Sequence, residues 1–93
     1  MHILLFQMEL YLPGVHSLKE KRHILKPLLN DIRNDFNVSA AEVEMHDEWQ
    51  HAVLACVCVG NMKDALERIE RGVTDMIEKH GDIQLVQTNM QWL

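Results

Sequence analysis

An α+β sandwich of order β-α-β-β-α-β is what this sequence predicts, and three observations predict it. Apolar residues alternate at the start of the chain, and two later stretches carry them at helical three- and four-residue spacing. Two strand-like runs stand between those helices, and one more follows the second.

The first strand runs from His2 to Leu12, with Leu4, Phe6, Met8, Leu10 and Leu12 on one face and Ile3, Leu5, Gln7, Glu9 and Tyr11 on the other. Pro13 and Gly14 end it, because proline has no ladder donor and glycine permits a turn. Ser17 and Glu20 form a capping box, so a helix starts there. Leu18, Leu25, Leu28, Ile32 and Phe36 trace its apolar stripe, which Ile24 and Leu29 broaden. Pro27 leaves one helical hydrogen bond unmade and predicts a kink within a single bent helix.

After Asn37, a second strand spans about Val38 to Met45, His46 to Glu48 form a polar connection, and Gln50 to Val59 make a third strand. Both faces of that third strand are small or apolar, as in a central strand. Asn61 and Asp64 predict a weaker cap for the second helix, traced by Met62, Ala65, Leu66, Ile69, Val73, Met76 and Ile77. Gly81 is the expected C-cap, and a final strand follows from Asp82. This order fits a ferredoxin-like sandwich over residues 1–93, a single domain with both helices on one face of a four-stranded antiparallel sheet. Strands one and three are central, and the other sheet face is left for a partner or a second copy.

Composition narrows the function classes. Ninety-three residues hold one modest core and leave no room for a substrate domain beside a cofactor domain. Hydrophobic residues at 47% and charged ones at 25%, with two prolines and four glycines, argue against disorder or a low-complexity tail. A net charge of −5 argues against a general DNA-coating role. Between His16 and Phe36, however, five basic side chains stand against three acidic ones, a local +2 that leaves −7 on the rest. Such polarity steers one face toward an anionic partner. The start MHILLF enters alternating structure with no basic leader, and no apolar run approaches membrane-spanning length, so a soluble cytoplasmic protein is expected. Cys56 and Cys58, two apart on one strand, read as buried free thiols.

Lys19, Lys21, Arg22 and Lys26 form the densest cationic group, with Arg33 further along the helix. Lys19, Arg22 and Lys26 follow the spacing that aligns side chains on one helix face and can present cations to successive phosphates. The preceding Pro13–Ser17 turn can add backbone donors at the helix N-terminus, where anions are favoured. Aromatic stacking across the sheet has little support, since the central strands offer only Tyr11 and Trp49, both near strand ends. Glu44, His46, Asp47, Glu48 and His51 are rich in ligating groups but lie on a turn, where such groups diverge, so no metal is expected. The expectation is likewise of no cofactor and no enzyme: Ser17 is occupied as a cap, and there is no glycine-rich phosphate loop and no arginine-bearing cradle for an acyl phosphate.

The strand ending Leu12-Pro13-Gly14, the run Ser17-Leu18-Lys19-Glu20-Lys21-Arg22, the segment Arg33 to Val43, and Trp49-Gln50 followed by Ala52-Val53-Leu54 resemble the YlxP-like family of small uncharacterised bacterial proteins. The resemblance covers nearly the whole chain, and Pro27 departs from it. It implies a ferredoxin-like fold and a gene neighbourhood of translation-initiation and ribosome-maturation factors, and it points to His16, Ser17, Lys19, Lys21, Arg22 and Trp49 as the matching positions that matter. Two functions are therefore expected in competition. One is a non-enzymatic factor binding ribosomal RNA or a ribosomal subunit through His16, Ser17, Lys19, Lys21, Arg22, Lys26, Arg33 and Trp49. The other is a protein-interaction or homo-oligomeric assembly domain using the open sheet face.

Overall fold

The computed structural model describes all 93 residues, Met1–Leu93. Its elements run β1 (His2–Tyr11), α1 (Leu18–Asp35), β2 (Ser39–Glu44), β3 (His51–Gly60), α2 (Lys63–Glu78) and β4 (Gln84–Trp92). The sheet order is β2-β3-β1-β4 with every neighbouring pair antiparallel, the ferredoxin-like arrangement expected. Leu4, Phe6, Met8, Leu10 and Leu12 are sealed under the helices beside Ala52, Leu54, Cys56 and Cys58. Burying each large side chain of that set contributes roughly 1.5–3 kcal/mol. Both thiols are free and buried, as the apolar run implied.

Local chemistry departs from expectation at three places. At the start of α1, the Glu20 N–H donates to Ser17 Oγ at 3.1 Å, but the Glu20 carboxylate accepts from the N–H of His16, not of the cap itself. The box is thus shifted one residue outward. Helix α1 runs through Pro27 as one helix, as expected, with Pro27 on its exposed side. Helix α2 starts at Met62 with no side-chain cap, so Asn61 and Asp64 do not form the arrangement expected of them. Gly81 is no left-handed cap either: α2 closes on Lys79 in right-handed geometry, and the one residue with positive φ is Met45, at 64°.

Two close fits set the shape around the core. A Cβ at Gly72 would lie 2.5 Å from Phe36 Cε1, so α2 approaches the end of α1 only because residue 72 has no side chain. In β4, Gln87 pairs with Glu9 and Leu85 with Leu10, which leaves Val86 as a bulge.

Candidate functional site: the basic flank of α1 and the open sheet face

Helix α1 sorts its cations by face. Lys19, Arg22 and Lys26 are exposed and enter no ion pair; the chain's one ion pair belongs to Lys21. At about 100° per residue, Lys19, Arg22, Lys26 and Arg33 fall within about 60° of the helix circumference. The helix's carboxylates, Glu20, Asp31 and Asp35, fall at least about 100° away on the same projection. That stripe of the helix therefore carries one sign of charge, although Asp31 lines the same open groove as Arg22 and Lys26 at its border.

Lys21 is not part of it, contrary to expectation. It shares the stripe of Leu18, Leu25, Leu28 and Ile32, and only 2% of it is exposed. Its ammonium donates to the carbonyls of Met45 and Glu48, each at 2.7 Å, and lies 2.9 Å from Glu42 Oε2. The Glu42 contact is ionic without being a directed hydrogen bond, since that oxygen has no hydrogen-bond partner. Three oxygens around one buried ammonium make a clamp that fixes the β2–β3 loop. No charge is left over for a partner.

Arg33 is divided between two tasks. One guanidinium nitrogen donates to the Ala40 carbonyl at 2.7 Å, while the side chain stays exposed at the end of the stripe. It also lines a shallow open groove of about 750 Å³ with Asn37, Val38, Ser39, Val57 and Val59, linking the basic flank to the sheet. Ser17 is spent on the cap and His16 is exposed beside it.

Trp49 is 52% exposed in the clamped loop. Its neighbour Gln50 donates to the carbonyls of Pro13 and Val15, at 3.3 and 3.1 Å, and accepts from Leu12 N–H at 2.8 Å. Trp49 thus stands at the Lys21 end of the molecule, on a loop tied both to α1 and to the end of β1.

On the uncovered sheet face, cross-strand register sets Ile3 beside Val59, Leu5 beside Val57, Gln7 beside Ala55 and Tyr11 beside His51. Tyr11 and His51 stack with centroids 5.2 Å apart at 24°. The sequence reading missed that pairing, which depends on register and leaves no local signal. No three His, Cys, Asp or Glu side chains converge as metal ligands. Burial pushes the Cys56 thiol up to about 12; the neighbouring Cys58 raises it further and Arg33 acts in the opposite sense. Burial also raises Cys58 and Glu70. Protonated, buried thiols are poor nucleophiles. No helix is long and apolar enough to cross a membrane.

Fold and surface together define a ferredoxin-like domain with one basic helix flank and one uncovered sheet face. The chain belongs to the family described as Protein of unknown function (DUF503), whose model matches residues 3–90. It is 33% identical over 76 residues to "Uncharacterized protein YlxP" of Bacillus subtilis (strain 168), covering 82% of this chain and 83% of that one. Among solved structures it is similar to LarC2, the C-terminal domain of a cyclometallase involved in synthesis of the NPN cofactor of lactate racemase, in its apo form. That likeness has 14% identity and a TM-score of 0.48, and it spans all of this chain but only 55% of the other. It is too distant to bear on function.

Proposed function

We propose that the protein is a non-enzymatic, cytoplasmic factor that binds ribosomal RNA, as part of a ribosomal subunit or its precursor, through Lys19, Arg22 and Lys26, with Arg33 extending the contact. The observation that carries this reading is the single-signed stripe of α1, where three exposed cations have no carboxylate of their own molecule as partner. Cations early in a helix oppose its dipole at a few tenths of a kcal/mol each, a small local penalty that a phosphate partner would offset. Lys21, although it lies in the same basic run of sequence, supports the fold and not the contact.

Co-sedimentation with ribosomal subunits across a salt series tests it. Three phosphate contacts give a slope of about −2 to −3 in log K against log salt. The parent is expected to bind at low salt and to follow that slope, whereas Lys19→Gln/Arg22→Gln/Lys26→Gln, altered only at exposed positions, loses binding and keeps its fold by circular dichroism. Identical traces for parent and variant would overturn the reading.

A second reading, a protein-docking domain, is favoured by Val57 and Val59, 38% and 54% exposed beside Ile3 and Leu5. Association through that face would be indifferent to salt.

A further inference from the structure

The two edges of the sheet are finished differently. In an antiparallel pair, alternate residues exchange both backbone bonds with the partner, and those between them point away. Leu93 N–H donates to Ile3 O at 2.9 Å, so Gln91, Asn89 and Gln87 are the residues of β4 bonded to β1. Leu12 N–H donates to Gln50 O at 2.8 Å, which sets the opposite phase of β1 toward β3 and agrees with this assignment. Thr88, Met90 and Trp92 therefore turn their N–H and C=O groups to the free side of β4.

On the other edge, the same phase makes Ala40 and Glu42 the outward residues of β2. Both of their carbonyls are taken. Arg33 donates to Ala40 O at 2.7 Å, and His46 Nε2 sits 3.1 Å from Glu42 O. The strand also carries Glu42 and Glu44 and a register break, all devices that discourage a neighbouring strand. Past its bulge, β4 has none of them: the run QLVQTNMQW contains no charge, no proline and no glycine, and no side chain reaches its outward groups.

We propose that β4 is a self-association edge, along which a second copy of this chain pairs antiparallel about a two-fold axis at Met90. Thr88 of one copy then meets Trp92 of the other, and Met90 meets its own counterpart, giving about six main-chain hydrogen bonds in an eight-stranded sheet. The second copy is the occupant because two-fold pairing sets a strand against itself. A charged strand would place like charge opposite like, and this one is neutral throughout. Met90, 49% exposed, gains apolar cover from its mate. One strand pair is narrower than a standard interface, so the dimer is expected to be reversible.

Sedimentation equilibrium of the full chain over a wide concentration series tests this. The mass is expected to rise from 10.8 kDa toward twice that value. Met90→Lys, on an exposed side chain, sets two ammonium groups against each other at the axis and is expected to hold the mass at the monomer. Met90→Pro removes an outward N–H at an edge position that tolerates proline and acts in the same direction without adding charge. Hydrogen exchange gives a period-two signature: Thr88, Met90 and Trp92 amides slow with concentration, while Asn89 and Gln91 are slow throughout. A parent that stays monomeric, a dimer that survives both variants, or one broken by Val57→Glu instead would overturn the proposal.

Discussion

Replacing Lys21 with methionine keeps the buried aliphatic stem and deletes the ammonium, which isolates the worth of the clamp. Two carbonyls and one carboxylate oxygen lose their cation at 2.7, 2.7 and 2.9 Å. Breaking a buried charged contact costs about 3–5 kcal/mol. Glu42 Oε2 is buried, but the side chain as a whole keeps 21% exposure and can turn its carboxylate toward water, so the lower end applies, about 3 kcal/mol. With an unfolding entropy near 2.1 cal/mol/K per residue, that is a fall of about 15 °C in the melting temperature of a domain this size. Thermal unfolding followed by circular dichroism reads it directly, with Lys19→Met as the surface control expected to change stability by less than about 0.5 kcal/mol. Adding Glu42→Gln to Lys21→Met should restore about 1 kcal/mol, because the stranded carboxylate is then neutral. A Lys21→Met protein that melts within about 2 °C of the parent would refute the clamp and return Lys21 to the surface.

Two further predictions rest on the core. Gly72→Ala gains about 1 kcal/mol of helix propensity but meets the Phe36 ring, and overpacking costs about 1–3 kcal/mol, so it is expected to destabilise. In a Phe36→Leu background the same change should become stabilising, and an unchanged sign in chemical denaturation would show that the ring does not set this approach. Cys56 holds its proton more tightly folded than unfolded, so its contribution is intact below pH 9.0 and is lost as pH rises toward about 12. Cys56→Ala should flatten that alkaline decline, and equal slopes for the two proteins would contradict the burial argument.

How far the sequence was legible follows from which rules are local. Period-two alternation from Leu4 to Leu12 and the stripe from Leu18 to Ile32 named the core, because each face is set by its own strand or helix. Lys21 was also readable: positions 18, 21, 25, 28 and 32 are one helical stripe, and a lysine within it must be buried or bent away. Reading the basic run as a cluster in sequence hid that geometry. Its oxygens were not readable, for Met45 and Glu48 lie 24 and 27 residues downstream and reach Lys21 only through the left-handed turn at Met45. The stacking of Tyr11 on His51 and the outward phase of β4 likewise belong to register, which no single strand encodes.

The two proposals constrain one another through charge. With Lys21 buried and Arg33 partly engaged on Ala40, three cations per chain are left for a phosphate partner. That number supports binding at low salt and little at physiological salt, since each contact weakens as counterions compete. The basic flank borders β2, whereas the proposed dimer forms through β4 at the opposite edge of the sheet. A paired molecule would therefore carry its two flanks at opposite borders of an eight-stranded sheet, roughly 35–40 Å across at about 4.8 Å per strand. Two weak contacts at that spacing reinforce one another only where a partner offers phosphate at both, which a folded RNA surface does and a short oligonucleotide does not. On the proposed reading, the same residues would thus favour a large, structured anionic partner over a small one, because a single flank has too few free charges to hold a partner at physiological salt.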